Sequence, residues 1–470
     1  MDYHVFSLGE VLAVAKLHPF YNKDAVYPPG TDAVEAIIKE QAEKAAAEPD
    51  LKQQPLLWKH QLYTSIQRLV NDTSPENTYR QNAYVSTTGG GSSPIPLMFA
   101  TDNGENRRHR MAFGQFLRRI EIVTPGDWVL SVHTSGKLYR SLDLSAEILE
   151  NAGASVLCAG HLMPPNKVCK LLAGYHINAL TGDSSQVTQI VHSISTLPPA
   201  ERDKIRLEKI IYTSEMLTPA QRSFIRQVLG PIKIYSMMAS AETGPWAASN
   251  PDFTGVDPGF VSDDTVTKSA DFIFDMRATR IEIIPSSCLG PNPTTSDPLP
   301  DGEQGIVVAT SLSRLRHPLV RYVTGDVGSI HPLPDHARAK LSDAEWQHLR
   351  ILRLVGRDRR LSFDFDGEYI EFTNLAAVME KPEFAILQWQ VILGRVQPSN
   401  EASLEVRILF ASREGDSSTK RQRFTHRLET FFNVGKANRP RFRLVFVTDM
   451  NGFERSSTGR KVVKFIDHYN

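Results

Sequence analysis

Short apolar strands alternate with amphipathic helices between residues 128 and 235, and this alternation restricts the possible folds more than any other feature. The predicted strands are 128–132, 154–158, 177–180, 207–212 and 232–235. The predicted helices between them are 142–151, 164–173, 185–194 and 219–229. Such an order favours a largely parallel sheet with right-handed crossovers. We therefore predict an α/β fold whose ligands bind beyond the carboxyl ends of the strands.

Further elements are predicted on both sides of this alternating region. Residues 32–48 and 57–71 have the apolar spacing of two helices. Residues 305–312 form a clear strand that favours antiparallel structure. We therefore predict a large N-terminal lobe, residues 1–355, with mostly parallel sheets plus antiparallel elements, and a small α+β C-terminal lobe, residues 356–470.

The composition is that of an ordinary globular protein without a bias towards a charged partner. The 470 residues include 53 Lys+Arg and 53 Asp+Glu, so no global field favours nucleic acid or an acidic membrane. No apolar run approaches the ~20 residues that span a bilayer, and the first residues lack the pattern of a signal peptide. Three cysteines form no metal-binding or disulfide framework: Cys158, Cys169 and Cys288. We expect a cytoplasmic protein that binds neither nucleic acid nor membrane.

Residues 86–94 form a loop that is dense in glycine and hydroxyl side chains and follows an apolar pair. Backbone N–H groups and hydroxyl groups in such a loop can surround phosphate oxygens. The candidate phosphate-binding residues are Ser86, Thr87, Thr88, Gly89, Gly90 and Gly91. The alternative interpretation is a flexible surface linker, although the loop directly precedes the α/β region and this favours phosphate contact.

Residues 318–326, Pro-Leu-Val-Arg-Tyr-Val-Thr-Gly-Asp, carry an apolar run into a tight Thr-Gly turn that presents Asp326. A carboxylate at such a turn can accept hydrogen bonds from both hydroxyls of a ribose, and a glycine lets the backbone approach a nucleotide closely. The alternative interpretation is a strand that simply ends in a turn. The other polar segments of the chain favour the nucleotide interpretation.

Two further charged residues are candidates for a role in catalysis. Glu242 follows a strand and a turn of small residues, where a carboxylate suits Mg²⁺ that bridges a triphosphate. The alternative for Glu242 is a solvated loop residue or a helix cap. Lys461 ends a Ser/Thr/Gly loop and could stabilise the negative charge that develops in a group transfer. The alternative for Lys461 is a basic tail on a solvated face.

Together these segments resemble the adenylate-forming superfamily, and most closely its phenylacetate–CoA ligase branch. The resemblance runs from about Tyr84 to Asp467. The family's Tyr-Gly-x-Ser-Glu segment is similar to Met-Ala-Ser-Ala-Glu at 238–242, and its Gly-Ala-Glu turn is similar to Thr-Ser-Glu at 213–215. The family pattern dGE.G…T.L…P..RY.tGD is matched by Asp301, Gly302, Glu303, Gly305, Thr310, Leu312, Pro318, Arg321, Tyr322, Thr324, Gly325 and Asp326.

The resemblance implies that ATP activates a carboxylic acid, here expected to be aromatic or arylacetic-like, as acyl-AMP with release of pyrophosphate. The acyl group would then pass to coenzyme A after the mobile C-terminal lobe rotates. Glu242 would hold Mg²⁺ and Asp326 would bind ribose. Further residues implied to contact ATP are Ser214, Glu215, Ala239, Ser240 and Arg357. For the acyl pocket we expect His133, Ser135, Tyr235, Ser236, Met238 and Trp246.

Several positions depart from the family pattern. Met238 and Ala239 replace the aromatic–glycine pair that stacks on adenine, and the phosphate loop has an extra glycine. Arg460 and Lys461 compete for the role of the final cation, which we assign to Lys461 because arginine's forked head poorly replaces a point charge. Two alternatives stay open: a stand-alone ligase that passes the acyl group to an amine, and a non-catalytic nucleotide-binding homologue.

Overall fold

The computed structural model describes residues 5–43, 49–87, 98–136, 138–214, 216–256, 269–289, 297–357, 362–366, 368–399, 401–411, 417–456 and 461–469. Its helices are α1 (Leu8–Ala15), α2 (Thr31–Glu43), α3 (Lys59–Asn71), α4 (Asn103–Arg119), α5 (Ser141–Asn151), α6 (Pro165–Gly174), α7 (Ser184–Ser195), α8 (Pro199–Arg202), α9 (Pro219–Leu229), α10 (Pro251–Thr254), α11 (Asp335–Arg338), α12 (Asp343–Trp346), α13 (Phe372–Met379) and α14 (Ser417–Phe431). Its strands are β1 (Ala83–Thr87), β2 (Met98–Asp102), β3 (Trp128–Ser131), β4 (Ser155–Cys158), β5 (Ala179–Asp183), β6 (Lys209–Thr213), β7 (Lys233–Ser240), β8 (Gly244–Ser249), β9 (Ala270–Asp275), β10 (Thr279–Ile284), β11 (Gly305–Ser311), β12 (Tyr322–Pro332), β13 (Leu349–Arg357), β14 (Ser362–Phe365), β15 (Glu368–Glu371), β16 (Ile386–Val396), β17 (Glu401–Phe410), β18 (Phe442–Phe446) and β19 (Phe465–Asp467).

Strands β3 to β13 form one mixed sheet, in the order β10-β11-β12-β13-β9-β8-β7-β6-β5-β3-β4. The neighbours β4, β3, β5, β6 and β7 are parallel, as the alternating sequence predicts. From β7 to β10 every pair is antiparallel. The predicted α/β class, with parallel strands and an antiparallel extension, is therefore confirmed.

Helices cover both faces of the parallel strands with two apolar layers. On one face Leu172, Val191 and Ile225 from α6, α7 and α9 are fully buried. On the other face Leu117 and Leu149 from α4 and α5 are equally buried. Each such side chain contributes about 1.5–3 kcal/mol by leaving water. Among the described residues, no helix is long and apolar enough to cross a membrane.

A separate sheet in the order β18-β17-β16-β19 follows the large one and packs against α14. This second unit also contacts the first, because Leu387, Leu409, Phe453 and Val462 belong to the same apolar layer as α6, α7 and α9. The boundary between residues 355 and 356 falls near the end of β13 and stays a prediction. The sheet edge at the carboxyl ends of β6 and β7 is where the parallel and the antiparallel strands meet.

Candidate functional site

A cavity of about 300 Å³ opens at the carboxyl ends of β6 and β7 and extends along β8, β9, β12 and β13. We call it the strand-end cavity. Eight of the residues selected from the sequence line it: Ser214, Ser236, Met238, Ala239, Ser240, Glu242, Trp246 and Asp326. Residues that were not selected from the sequence also line it, among them Met216, Thr243, Ala270, Phe272 and Leu354. The cavity therefore combines carboxylates and hydroxyls with an apolar wall.

Glu242 lies in the short turn, residues 240–244, that joins β7 to β8. The Ser240 hydroxyl accepts a hydrogen bond of 3.0 Å from the Thr243 backbone N–H, which closes the turn. Glu242 is only 6% exposed although it lines the cavity. Its Oε1 accepts a hydrogen bond of 2.6 Å from the Tyr63 hydroxyl. The carboxylate is thus held at the cavity wall rather than solvated on the surface.

Arg314 and His109 pack closely against the same turn. Arg314 Nη1 donates a hydrogen bond of 3.1 Å to the Glu242 carbonyl oxygen. A Cβ atom on Gly244, whose φ is +71°, would lie 2.2 Å from Arg314 Nη2 and 2.9 Å from His109 Cε1. Glycine is required here because the backbone is left-handed and the arginine approaches closely. Burial lowers the pKa of Arg314 to about 10 and that of His109 to about 3, so His109 is neutral.

Asp326 lies on β12, opposite Arg357 in the antiparallel ladder with β13. Its backbone N–H donates to the Thr324 hydroxyl at 3.1 Å, and that hydroxyl donates to the Val307 carbonyl oxygen at 3.1 Å. Gly325 has a φ of +83°, which a larger residue would adopt only with strain. The Thr-Gly turn predicted from the sequence therefore lies within β12 and places Asp326 on the cavity wall.

Arg321, in the same motif, has a structural role that sequence reasoning missed. Its side chain is fully buried, and Nε donates to Glu282 Oε2 at 3.0 Å. Nη1 donates to the carbonyl oxygens of Lys52 and Gln54 at 3.2 and 3.1 Å. Burial raises the pKa of Glu282, and Arg321 opposes that shift. Arg321 therefore ties the segment before α3 to the antiparallel half of the sheet.

Other selected residues lie away from the strand-end cavity. Tyr235 is 1% exposed in the apolar layer under α4 and α5, because adjacent strand residues face opposite sides of a sheet. His133 is also buried, with Nε2 3.2 Å from the Thr181 hydroxyl. Ser135 is exposed beyond β3. These three residues do not line the strand-end cavity, whose aromatic lining residues are Trp246, Phe272 and Tyr322. Their place in the acyl pocket stays a prediction.

The phosphate loop is only partly described. Ser86 and Thr87 lie on β1, and the Thr87 hydroxyl donates to the Leu138 carbonyl oxygen at 2.9 Å. Arg110 and Arg140 lie over the Tyr84 ring, with guanidinium carbons 4.4 and 4.2 Å from its centroid. These cation–π contacts stabilise the position of Tyr84 on β1. The predicted residues Thr88, Gly89, Gly90, Gly91 and Glu215 lie outside the described residues, as does the side chain of Arg357.

Lys461 lies where the two units of the chain meet. The Ser456 backbone N–H donates to the Lys461 carbonyl oxygen at 2.8 Å, and the next residue, Val462, is 1% exposed in the shared apolar layer. Lys461 is not among the residues that line the cavity. Lys464 is engaged elsewhere, since its ammonium lies 4.6 Å above the Trp389 ring. Arg460, the competing cation, lies outside the described residues.

No protein-family model matches the chain. A phenylacetate-coenzyme A ligase from Thermus thermophilus is 26% identical over 117 residues, about a quarter of each chain. A 2-hydroxyisobutyryl-CoA ligase in the postadenylation state, in complex with R3-HIB-AMP, superposes with a TM-score of 0.64 at 17% identity, covering 98% of this chain and 88% of that one. The same ligase with 2-HIB-AMP and CoA, in the thioesterification state, gives 0.51 at 17% identity over the same shares. The chain therefore has the fold of this CoA ligase, and the predicted resemblance is confirmed at the level of the fold.

Proposed function

We propose that the protein activates a carboxylic acid with ATP. A carboxylate oxygen attacks the α-phosphorus, the bond from that phosphorus to the bridging oxygen breaks, and pyrophosphate leaves. The acyl-AMP product then transfers its acyl group to coenzyme A, and AMP is released. Reactions of this kind depend on positioning and charge neutralisation more than on covalent participation of the protein.

One observation carries the proposal: the strand-end cavity brings Glu242 and Asp326 together from positions far apart in the sequence. Asp326 is assigned to the ribose hydroxyls, because a carboxylate can accept both hydrogen bonds. Ser214, Ser236, Ala239 and Ser240 lie on the same wall and are assigned to the nucleotide or the acid. Ser86 and Thr87 begin the loop assigned to the phosphates.

Glu242 suits Mg²⁺ because the ion commonly binds one or two carboxylates together with substrate phosphates. The carboxylate lines the cavity and is anchored at one oxygen, as such a ligand requires. Among the described residues no group of three or more His, Cys, Asp or Glu side chains could hold a metal ion by itself. Mg²⁺ bound at Glu242 would neutralise charge on the triphosphate.

Lys461 is assigned to the charge that develops at the α-phosphate. The proposal requires that the loop before Val462 brings the ammonium to the cavity mouth during the first step. Removing a donor of this type typically lowers kcat by about 10²–10³. Lys461→Ala should therefore lose most adenylation, while Arg460→Ala, the matched control, should keep it.

An aromatic or arylacetic-like acid is favoured by the composition of the cavity wall. Trp246 and Phe272 provide aromatic surface, and Met238 adds a polarisable, adaptable side chain. The acceptor is assigned as coenzyme A because the relative and the structural neighbour are named as CoA ligases. An amine acceptor is the alternative, and AMP release that depends on CoA without added amine separates the two.

The test is pyrophosphate release with ATP and Mg²⁺ across aryl, arylacetic, short aliphatic and amino acids, first without CoA and then with it. Wild type, Lys461→Ala and Arg460→Ala are compared side by side. Lysine-dependent release with one acid class is the expected result. A Lys461→Ala protein that adenylates at the wild-type rate would contradict the role of that lysine. No release with any acid, while ATP still binds, would favour a non-catalytic nucleotide-binding protein instead.

A further inference from the structure

Tyr63 contacts Glu242 from a helix that contributes no residue to the cavity lining. Tyr63 lies on α3, and its hydroxyl donates to Glu242 Oε1 at 2.6 Å across a separation of 179 residues. Hydrogen bonds between a hydroxyl and a carboxylate at this distance belong to the strong class. The contact therefore restricts the rotation of the one carboxylate assigned to the metal.

The position of the Tyr63 hydroxyl is itself fixed by packing. The ring meets Phe99 edge-on, with centroids 5.6 Å apart. Leu62 and Ile66, on the same helix, are fully buried. Leu57, just before α3, exchanges backbone hydrogen bonds of 2.9 and 3.0 Å with residues 321 and 323 of the Asp326 motif. The helix is thus built into the antiparallel half of the site.

The backbone of Glu242 is held by a second residue. Arg314 donates to its carbonyl oxygen, as described above. With the main chain and Oε1 both restrained, the direction of the whole carboxylate is set before any ligand binds. Such preorganisation lowers the entropy that is lost on binding.

We propose that Tyr63 is a positioning residue that orients the Glu242 carboxylate for the Mg²⁺–nucleotide complex. This inference rests on the proposed function. It extends the site to α3, whose described residues do not line the strand-end cavity.

The test is Tyr63→Phe, which keeps the ring on Phe99 and removes only the hydroxyl. The matched control is Tyr27→Phe, because the Tyr27 hydroxyl donates to Asp72 Oδ2 at 2.8 Å at the other end of α3. ATP binding is measured by calorimetry over a range of Mg²⁺ concentrations and again with EDTA. Mg²⁺-dependent ATP affinity should fall about five- to tenfold in Tyr63→Phe. Affinity with EDTA should not change, and Tyr27→Phe should match wild type in both.

Two further readouts separate positioning from general loss of structure. In pyrophosphate release, the Mg²⁺ concentration for half-maximal rate should rise in Tyr63→Phe, whereas the rate at saturating Mg²⁺ should change less. In a Glu242→Gln background, the same change should cause no additional loss of Mg²⁺-dependent binding.

Each contrary outcome is distinct. Unchanged Mg²⁺ dependence in Tyr63→Phe overturns the inference, and so does an equal loss of affinity with and without EDTA. Full additivity of Tyr63→Phe and Glu242→Gln also overturns it. Wild-type protein that binds no nucleotide at any Mg²⁺ concentration contradicts the proposed function itself, and with it the assignment of Tyr63.

Discussion

Arg321 and Glu282 form a buried ion pair, with Nε 3.0 Å from Oε2 and the arginine side chain fully removed from solvent. The pair joins the start of the Asp326 motif to β10, and Arg321 also binds two carbonyl oxygens before α3. Arg321 has a φ of +48°, which an arginine adopts only where the surroundings enforce it. The motif is therefore held in place by a residue that does not line the strand-end cavity.

Replacing Arg321 by alanine should destabilise the protein strongly. Glu282 would be left buried without its partner, and breaking such a pair typically costs about 3–5 kcal/mol. Urea unfolding measures the change. Lys233→Ala, which removes an exposed pair with Asp252, is the control and should stay within about 1 kcal/mol. A loss no larger than that of the control would contradict the structural role of Arg321.

Gly244→Ala should disturb the turn that carries Glu242. The φ of +71° and the close approach of Arg314 are both incompatible with a Cβ atom, and we expect a loss of about 1–3 kcal/mol in stability. Mg²⁺-dependent ATP binding should weaken at the same time. Gly174→Ala is the control, because nothing lies within 4 Å of its Cβ position at the end of α6. Equal behaviour of the two variants would argue against the turn geometry described here.

Asp326→Ala should weaken binding of AMP, which contains the ribose but no pyrophosphate group. Hydrogen bonds to a charged acceptor contribute about 1.5–3 kcal/mol, so we expect a tenfold or greater loss of affinity in calorimetry. Asp335→Ala, at an exposed position on α11, should bind AMP like wild type. Unchanged AMP affinity in Asp326→Ala would remove the ribose assignment.

The buried histidines should make the protein sensitive to acid. Burial is the main cause that lowers the pKa of His317 to about 3, with Arg314 second. A folded-state pKa below the unfolded value of 6.5 means that His317 supports stability above pH 6.5 and that this support is lost as the pH falls towards 3. The free energy of unfolding should thus decrease by up to about 1.4 kcal/mol per pH unit from this group in that window.

His317→Phe tests this expectation, because the phenyl ring can keep the contacts with Phe20 and Phe99. Stability curves from pH 7 to pH 4 should be flatter for His317→Phe than for wild type. His426→Gln, at an exposed position on α14, should leave the slope unchanged. A wild-type slope in His317→Phe would show that this histidine does not govern the acid response.

The helices and strands of the parallel half can be predicted from the sequence because each is specified by residues within the element or directly beside it. Helix 219–229 is predicted and found with the same bounds, since Pro219 follows a Thr218 cap that accepts from Gln221. The strands at 128, 155, 179, 209 and 233 begin within two residues of their predicted starts. Each combines an apolar run with flanking turn residues, and no distant contact is needed to recognise it.

The strand pairing of the antiparallel half and the position of helix α4 are harder to predict from the sequence. β13 pairs with β9, which lies more than 70 residues earlier in the chain. No local sequence pattern predicts a pairing over that distance. In α4 the buried residues include Glu105, His109 and Arg110. Because these polar residues interrupt the apolar periodicity, the sequence does not indicate an amphipathic helix there. Glu242 and Asp326 lie in motifs that the sequence shows directly. Tyr63 and Arg314 contact Glu242 from distant parts of the chain, and no local sequence pattern indicates these contacts.

The apolar layer shared by the two units constrains how the proposed reaction can proceed. Leu387, Leu409, Phe453 and Val462 are buried against the helices of the large sheet. A C-terminal lobe that rotates between the two half-reactions must separate these contacts and wet the surfaces, unless the new arrangement covers them again. If the lobe rotates as proposed, this apolar layer would have to open in each cycle. The turnover rate would then depend on how often the apolar layer opens. Solvent conditions that strengthen apolar association should therefore slow turnover without altering either chemical step.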